Sequence, residues 1–543
     1  MDGAQARPYT APMAQTLSRA DPDLLLGVDI GTQGVKGVLI DEELRVVGHA
    51  YAEHGIAMPR PGWAEQDAEA AWWRGFLRIV RRLLREAPAQ RIRGVGCSGM
   101  SVCVLPCEGA TPLRPAILYR DARAAREIEE LRELTAQRGF DTRHPFSTQS
   151  VVPKLMWLAR HEPDVLGRAT HLFTAANFLT YRLTGRYTLD YCQASYFEPL
   201  YSYENRRWSN SGRRLAGLPD LPLPALAGSS EPAGAVTPAA ARACGLVEGT
   251  PVAVGSSDGI SEIVSLGGGS PGLPVLLYGS SGVIGLETDR TRSLGTSVII
   301  PHPLRLDRSM LLSGPTAAAI LTRWFADTFG AAGAVSAAAS GDTAGTVAGS
   351  GGDTGLTRRP RAYEALSRAA ARIPPGSEGL IALPYFAGER HPFRDPAARG
   401  VLFGLTLSHT REHLYRALLE GVAYSFRHNL EELTEGGERI REIVAGGGGS
   451  RNEIWVQIVS DVCGYDQLLP PSPGGSEVGA AVFAGLCTGS FKRFGAETGD
   501  IILRGAKRVR PRPEAGAVYA EIYPVFRELY ERLAPDLHRL ADG

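Results

Sequence analysis

The stretch Gly27-Val-Asp-Ile-Gly-Thr-Gln-Gly-Val-Lys36 joins two short apolar runs through a turn of small residues. The runs are Leu24 to Ile30 before the turn and Val35 to Ile40 after it. Apolar runs of this length on both sides of a glycine-rich turn predict a β-hairpin. The regular part of the chain is therefore expected to begin with two antiparallel strands.

The turn of this hairpin contains residue types that suit a nucleotide phosphate and its metal ion. Gly31 and Gly34 leave backbone amides uncovered, and such amides can bind phosphate oxygens. Thr32 and Gln33 could add side-chain donors, and Asp29 is a hard oxygen ligand of the type that Mg²⁺ combines with substrate phosphates. An ordinary hairpin, in which these residues only shape the turn, explains the stretch equally well.

Beyond the hairpin, the patterns predict alternating strands and helices. A third strand is expected from Arg45 to Tyr51, a helix from Asp67 to Arg85, and a buried strand from Gly94 to Gly99. This order indicates the α/β class. The second half repeats the order in its pattern but not in its residues, with elements predicted at Pro274–Leu277, Val283–Glu287, Arg411–Leu433, Glu442–Ala445 and Glu453–Cys463.

Length and composition favour a two-domain enzyme. A chain of 543 residues is too long for a single core, and its 44% hydrophobic and 21% charged residues are ordinary for a globular protein. Its 58 basic and 58 acidic residues cancel, so no overall field attracts nucleic acid or an anionic membrane. No apolar run approaches the roughly 20 residues that cross a bilayer.

Two segments are expected to be flexible. Residues 1–22 are polar, lack the apolar core of a signal peptide, and predict a disordered tail. Residues 331–356 are almost all Ala, Gly, Ser, Thr and Asp, which predicts a flexible surface insertion. The seven cysteines form no CxxC pair, so we expect a cytoplasmic protein without a disulfide framework.

A carboxylate follows the apolar strand predicted within Val252 to Ser261. Asp258 comes after the small residues that end this strand. Phosphoryl transfer to a hydroxyl needs a group that accepts the hydroxyl proton, and Asp258 could supply it. The alternative is that Asp258 caps the following helix, and the two roles are compatible.

Two further glycine-rich stretches lie in the second half. Tyr278-Gly-Ser-Ser-Gly-Val283 suits the outer phosphates of a nucleotide, or is a plain hairpin turn. Ala445-Gly-Gly-Gly-Gly-Ser-Arg-Asn-Glu-Ile-Trp455 runs from a strand through glycines into a helix, where an adenine ring could lie against the backbone and Asn452 could donate to it. A dinucleotide-binding GxGxxG unit fits this stretch poorly, because the stretch lies too near the C-terminus.

Taken in order, these stretches resemble the FGGY family of carbohydrate kinases. The resemblance spans about residues 24 to 530. Further matches support it: Pro61-Gly-Trp-Ala-Glu-Gln-Asp67, Leu113-Arg-Pro-Ala-Ile-Leu-Tyr119, Leu383-Pro-Tyr-Phe-Ala-Gly-Glu-Arg-His-Pro392, Gly400-Val-Leu-Phe-Gly-Leu405 and Arg416-Ala-Leu-Leu-Glu-Gly-Val-Ala-Tyr424.

The resemblance implies an α/β protein with two RNase H-like domains of the actin-like ATPase fold and a cleft between them that binds ATP and Mg²⁺. Residues 23–270 would form the N-terminal, sugar-binding domain, and residues 271–535 the C-terminal, ATP-binding domain. It also implies that Asp258 is the catalytic base and that Asp29 holds the metal. The implied nucleotide contacts are Gly31, Thr32, Gln33, Gly279, Ser280, Ser281, Gly282, Gly448, Gly449 and Asn452.

Within the family the nearest resemblance is to xylulokinases, which implies phosphorylation of a pentulose such as D-xylulose. Two positions depart from that pattern: Val102 replaces a His, and Gly259 replaces an Asn. Neither side chain can bind a sugar hydroxyl, so we expect a permissive pocket or a substrate with a less polar edge. The implied sugar contacts are Met100, Ser101, Glu65, Asp121 and Asp258.

Two alternatives to a xylulose kinase stay open. One is a kinase for another ketose, a polyol or a deoxy sugar of secondary metabolism. The other is a sugar-responsive binding protein on the same fold, against which Asp258 and both phosphate turns argue. The expected partner is a small sugar, without nucleic acid or membrane, and a homodimer is left open.

Overall fold

The structure is a computed structural model. It describes residues 23–541 apart from residues 269, 330–357, 473, 493, 495 and 496. The predicted tail at residues 1–22 and the predicted insertion at 331–356 lie outside the described residues. Within those residues, no helix is both long enough and apolar enough to cross a membrane.

A seven-stranded mixed sheet, several smaller sheets of two or three strands and the helices around them make up the first half of the chain. Its strands are β1 (Leu24–Ile30), β2 (Gly34–Ile40), β3 (Val46–Glu53), β4 (Glu65–Gln66), β5 (Ile92–Gly99), β6 (Leu105–Glu108), β7 (Thr111–Pro112), β8 (Ala116–Ile117), β9 (His171–Phe173), β10 (Thr188–Asp190), β11 (Tyr201–Ser202), β12 (Arg207–Trp208), β13 (Ala225–Ala227), β14 (Pro232–Ala235), β15 (Pro251–Ala253) and β16 (Ser256–Ser257). Its helices are α1 (Arg74–Leu83), α2 (Ala125–Gln137), α3 (Val151–His161), α4 (Pro163–Arg168), α5 (Ala175–Thr184), α6 (Tyr191–Ala194), α7 (Asn210–Leu215), α8 (Pro238–Cys244) and α9 (Asp258–Ser265).

A second seven-stranded mixed sheet, a two-stranded sheet and further helices make up the second half of the chain. Its strands are β17 (Val275–Tyr278), β18 (Gly282–Thr288), β19 (Val298–Pro301), β20 (Ser309–Ser313), β21 (Ile381–Leu383), β22 (Val401–Phe403), β23 (Ile443–Gly446), β24 (Gln467–Leu469) and β25 (Lys507–Val509). Its helices are α10 (Ala319–Phe329), α11 (Arg358–Ala370), α12 (Arg411–Glu435), α13 (Glu453–Cys463), α14 (Ser476–Thr488), α15 (Glu497–Leu503) and α16 (Pro513–Ala541).

The predicted hairpin is confirmed as the pair β1–β2 in the first sheet. This sheet has the order β14-β15-β5-β1-β2-β3, and β16 also pairs with β5. Strand β1 is buried at every position, as its continuous apolar run requires, whereas β3 at the sheet edge alternates between exposed and buried residues. The predicted strand Arg45–Tyr51 is confirmed as β3, with the bounds Val46–Glu53.

The predicted helix Asp67–Arg85 is confirmed, although it begins as a π-helical turn. This turn covers Ala68–Trp73 and continues directly into α1. The Asp67 carboxylate caps its start, because Oδ1 accepts the backbone N–H groups of residues 69 and 70 at 2.9 Å.

The second sheet repeats the arrangement at the centre of the first. Its order is β19-β20-β18-β17-β23-β24-β25. Strand β17 pairs antiparallel with β18 and parallel with β23, just as β1 pairs antiparallel with β2 and parallel with β5. The duplicated pattern inferred from the sequence is therefore confirmed, and the predicted helices at 411–433 and 453–463 are α12 and α13.

Helix α14 connects the two halves. It comes from the second half of the chain, yet it packs on β1 and β5 of the first sheet. A Cβ atom on Gly27 would lie 1.8 Å from the carbonyl oxygen of Glu477, and one on Gly96 would lie 1.8 Å from that of Ala480. The strands of the two sheets lie at residues 24–257 and 275–509, whereas this helix packs across the two halves, and the division at residue 270/271 stays a prediction.

Side chains also form hydrogen bonds and an ion pair directly between the two halves of the chain. Neutral His144 donates Nε2–H to the carbonyl oxygen of Ile299 at 3.0 Å. The Tyr203 and Ser309 hydroxyls are hydrogen-bonded at 2.8 Å, and Arg292 forms an ion pair with Asp141 at 2.9 Å. These contacts hold strands β19 and β20 against residues 141–203.

The packing of α14 gives a test of the fold. We expect Gly96→Ala to lower the free energy of unfolding by about 2–3 kcal/mol, because the new methyl group would overlap the α14 backbone. Urea unfolding would measure the loss. The matched control is Gly167→Ala on α4, where a Cβ meets no atom within 4 Å. Equal unfolding midpoints for the two variants would contradict the close packing.

Candidate active site

Three parallel strands bring two carboxylates to one edge of the first sheet. Asp29, near the end of β1, lies beside Ser98 of β5 in the parallel register. On the other side of β5, Ser256 of β16 pairs with the same Ser98. Asp258 follows β16 directly, so Asp29 and Asp258 lie on the two sides of the carboxyl end of β5.

Asp29 is a buried carboxylate with an unsatisfied oxygen. Its side chain is almost fully buried, and Oδ1 has no hydrogen-bond partner in the described part of the chain. The nearest cation, Lys36, has its Nζ 4.0 Å from Oδ2. Burial and the repulsion of Asp258 raise the pKa of Asp29 from 3.8 to about 8.

Asp258 is the first residue of α9, while Ser257 occupies the N-cap position. Asp258 therefore does not occupy the predicted N-cap position, and the Ser257 side chain makes no capping hydrogen bond. Burial raises the pKa of Asp258, and the N–H of Gly259, which donates to Oδ1 at 2.8 Å, opposes this rise. Glu262, one turn along α9, has its pKa raised to about 7 by burial and by Asp258. The edge thus gathers three acidic groups around one cation, Lys36, and their pKa values are raised.

The first glycine-rich turn is fixed by hydrogen bonds that its carbonyl groups accept. The N–H of Gly31 donates to the carbonyl of Gly34 at 2.9 Å. The carbonyls of Thr32 and Gln33 accept hydrogen bonds at 2.8 Å from the Gln66 amide and the Tyr51 hydroxyl, respectively. The turn is therefore fixed through its carbonyl groups.

The second turn and the third glycine-rich loop lie side by side, because they follow the adjacent parallel strands β17 and β23. In the turn, the carbonyls of Gly279 and Ser280 accept N–H groups from the start of α10. In the loop, Asn452 caps α13, and its Oδ1 accepts the N–H of Trp455 at 3.4 Å. The predicted phosphate turn and adenosine loop are thus neighbours in the second sheet.

A cavity of about 730 Å³ opens beside Asp258 between the two halves of the chain. From the first half it is lined by Ser101, residues 144–150, Tyr196, Asp258 and Gly259, and from the second half by Val283, Leu312 and residues 389–391, among others. Asp258 lies in its wall and also interacts electrostatically with Asp29. This carboxylate therefore links the cavity to the Asp29 edge.

The other implied sugar contacts do not line this cavity. Glu65 and Asp121 form a buried ion-pair cluster with Arg123, at 2.7 Å and 2.8 Å. Met100 is fully buried in the core of the first half. Of the implied set, only Ser101 and Asp258 reach the cavity. The role of the others as sugar ligands stays a prediction, which these contacts do not favour.

Val102 lies in the core and not in the cavity wall, although it was expected to face the sugar. Its side chain is fully buried among apolar residues. Its backbone φ is +20°, in a region that a β-branched residue rarely adopts. Gly259, the second departure from the xylulokinase pattern, does line the cavity, and a Cβ atom there would meet nothing within 4 Å.

Sequence reasoning missed several residues of the cavity wall. Tyr196 and the segment 144–150 belong to no motif that the sequence reveals. Arg390 lies within the stretch 383–392, which contributed to the family resemblance without being assigned a role. Membership of this stretch was the signal that the sequence offered for Arg390.

Comparison with known proteins agrees with this geometry. The models for the N-terminal and C-terminal domains of the FGGY family of carbohydrate kinases match residues 24–265 and 276–487. The chain is 30% identical to xylulose kinase of Escherichia coli (strain K12), over 94% of this chain and 99% of the relative. It is 29% identical to gluconokinase of Bacillus subtilis (strain 168), over 95% and 98%.

Solved structures show the same fold. The crystal structure of xylulose kinase from Rhodospirillum rubrum superposes with a TM-score of 0.82 at 29% identity, covering 95% of this chain and 100% of that one. Glycerol kinase of Plasmodium falciparum, at 18% identity, gives a TM-score of 0.79 and supports the fold alone. The chain belongs to the FGGY family of carbohydrate kinases and has their two-domain fold of the actin-like ATPase class.

Proposed function

We propose that the protein transfers the terminal phosphoryl group of ATP to a hydroxyl group of a small sugar bound in the cavity. One observation supports this most strongly: Asp258 lies in the cavity wall and at the same time beside the Asp29 edge. A base at this boundary can accept the proton of the sugar hydroxyl as the hydroxyl oxygen attacks the phosphoryl group.

The environment of Asp258 suits a base. The N–H groups at the start of α9 stabilise the ionised carboxylate, which a base must be to accept a proton. Burial acts in the opposite direction and makes the carboxylate more basic than a free aspartate. The net effect is a raised pKa, so the carboxylate, once ionised, has an increased proton affinity.

We assign the nucleotide to the two small-residue turns and the loop after β23. Gly31, Thr32 and Gln33 would contact the phosphates from the first sheet, and residues 279–282 from the second. Gly448 and Gly449 would lie against the adenosine. Since Asn452 uses Oδ1 to cap α13, its amide Nδ2–H₂ group is left to donate to the nucleotide.

The residues at the Asp29 edge fit a magnesium ion. Asp29 has a buried oxygen without a partner, and hard carboxylate oxygens are the ligands that Mg²⁺ prefers. Among the described residues, no cluster of three or more His, Cys, Asp or Glu could hold a metal ion alone. This agrees with an ion held mainly by the nucleotide phosphates, whose charge it would neutralise.

D-xylulose is the first substrate to test, because the chain is similar to xylulose kinases over nearly its whole length. The gluconokinase relatives make gluconate a second candidate. Gly259 offers no side-chain contact to a hydroxyl, so we expect D-xylulose to be phosphorylated with poor discrimination against 1-deoxy-D-xylulose and D-ribulose.

The base assignment predicts that Asp258→Asn loses nearly all sugar phosphorylation while the protein folds and binds ATP. Removing a general base lowers turnover by about 10²–10⁴-fold. Steady-state kcat with the best sugar measures the loss, and ATP titration with thermal unfolding provides the control. A variant that keeps more than about a tenth of the rate would show that another group accepts the proton.

The metal assignment predicts that Asp29→Asn lowers kcat much more than it weakens sugar binding. It also predicts a change in stability without Mg²⁺ and nucleotide. Because the pKa of Asp29 is higher in the folded chain, its ionisation destabilises the fold as pH rises from 3.8 towards about 8. The variant should therefore gain stability over the wild type between about pH 5 and pH 8. Normal turnover at limiting Mg²⁺ would contradict the metal assignment, and the absence of a pH-dependent gain would contradict the raised pKa of Asp29.

Because Gly259 lines the cavity, we predict that Gly259→Asn increases the discrimination between D-xylulose and its deoxy analogue. A Cβ atom at position 259 meets no atom within 4 Å, so an amide could extend from it into the cavity and bind one hydroxyl. We expect the kcat/KM ratio of D-xylulose to 1-deoxy-D-xylulose to change by about 3- to 10-fold, the effect of one hydrogen bond. Gly259→Ala is the matched control, because it adds the Cβ without the amide. Identical ratios for the two variants would place position 259 away from the sugar.

A further inference from the structure

Asp258, the proposed base, follows a very short strand. Strand β16 consists of Ser256 and Ser257, and in the described structure it pairs with β5 alone, where Ser256 lies opposite Ser98. A strand that is paired over two residues on one side is held by few backbone hydrogen bonds. Side-chain contacts of β16 therefore contribute to where the Asp258 carboxylate lies.

Asp190 supplies such a contact. Its side chain is fully buried, and Oδ2 accepts the Ser256 hydroxyl at 2.8 Å. The same carboxylate caps α6, because Oδ2 accepts the N–H groups of Cys192 and Gln193 at 3.1 Å and 3.3 Å and Oδ1 accepts the Gln193 side-chain amide at 2.6 Å. The Ser229 hydroxyl reaches Oδ2 at a longer distance of 3.5 Å. One carboxylate thus binds donors from β16, from α6 and from the loop between β13 and β14.

The helix that Asp190 caps contacts both the second half of the chain and the cavity. Cys192 Sγ–H donates to the carbonyl of Pro301, the last residue of β19, at 3.1 Å. Two residues beyond the end of α6, Tyr196 lies in the cavity wall. The hydrogen bonds of Asp190 therefore connect the strand that precedes the base with the cavity wall and with the second half.

We propose that Asp190 is a positioning residue for phosphoryl transfer: through Ser256 it fixes β16, and thereby the place of the Asp258 carboxylate in the cavity wall. The inference rests on the proposed function and adds a residue to it. Asp190 does not line the cavity, so it acts through Ser256 and not by contact with the sugar. Positioning carries much of the catalysis in phosphoryl transfer, and a misplacement of about 1 Å can lower the rate by about 10²-fold.

A purely structural role for Asp190, as the cap of α6, makes a different prediction. Ser256→Ala removes the hydroxyl that joins Asp190 to β16 and leaves every capping hydrogen bond in place. If Asp190 only stabilised α6, this variant would turn over normally. Ser229→Ala is the matched control, because it removes a buried hydroxyl from the same carboxylate oxygen but outside the strand that precedes the base.

The test measures kcat and KM separately, with ATP and the best sugar substrate of the wild type. We expect Ser256→Ala to lower kcat by about 10- to 100-fold, because the base is displaced, while KM for the sugar and for ATP changes by less than about 3-fold. Ser229→Ala should keep the wild-type kcat. Thermal unfolding and ATP titration would verify that both variants are folded and bind the nucleotide.

Variants of Asp190 separate its position from its charge. Asp190→Ala should lower kcat at least as much as Ser256→Ala, and combining the two should cause no further loss, because both remove the same contact. Asp190→Asn should keep kcat within about 3-fold, since its amide oxygen can still accept the Ser256 hydroxyl. Its NH₂ group would face Gln193, whose buried Oε1 has no hydrogen-bond partner in the described structure and can accept after the side-chain amide turns over.

Three outcomes would overturn the inference. They are a wild-type kcat in folded Ser256→Ala, an equal loss of kcat in Ser256→Ala and Ser229→Ala, and a loss in Asp190→Asn as large as that in Asp190→Ala. Each of these leaves the kinase assignment in place, because the wild type phosphorylates its sugar in the same assay. If the wild type phosphorylates no sugar, the proposed function itself is wrong, and the role of Asp190 is wrong with it.

Discussion

The repulsion between Asp29 and Asp258 is the constraint on which the rest of the structure depends. Asp29 is buried and Asp258 is half-buried at the carboxyl end of β5; burial raises the pKa of both groups, and the repulsion of Asp258 adds to the rise at Asp29. A fold gains no stability from such a pair, since burying like charges is costly. A cation bound between them would offset this repulsion. We therefore interpret the edge as a site built for a metal–nucleotide complex and not as part of the folding core.

The fold places this edge beside a cleft that both halves complete. Helix α14 packs on Gly27 and Gly96 of the first sheet, although it lies in the second half of the sequence. This packing couples the positions of the two halves. The bridges from residues 141–203 to β19 and β20 close the opposite side. Between them lies the cavity, with a carboxylate at one end and an arginine-rich wall at the other.

Much of the fold could be predicted from the sequence, because its strands are continuous apolar runs next to glycine turns. The hairpins β1–β2 and β17–β18 and the helices α12 and α13 follow directly from that pattern. The crossing of α14 could not be predicted, since nothing in a run of small residues says which sheet it will cover. The exact register that places Asp29 beside Ser98 also emerges only in three dimensions.

The sequence predicted site residues where a motif follows the end of a strand. It did not predict those that loops contribute to the wall of the cavity. Asp258 and Ser101 lie in the cavity wall as expected, but Glu65 and Asp121 are drawn into the ion pairs of Arg123, and Val102 faces the core. A sequence cannot show that a nearby arginine will neutralise a carboxylate.

The most direct measurement is ADP release by the wild-type protein with ATP and Mg²⁺, across pentuloses, hexuloses, polyols and sugar acids. The account predicts that at least one of these compounds increases ADP release well above the rate without sugar, that the increase requires Mg²⁺, and that the phosphorylated sugar forms in equal amount. If no compound of these classes increases ADP release from a folded protein that binds ATP, the central claim is wrong.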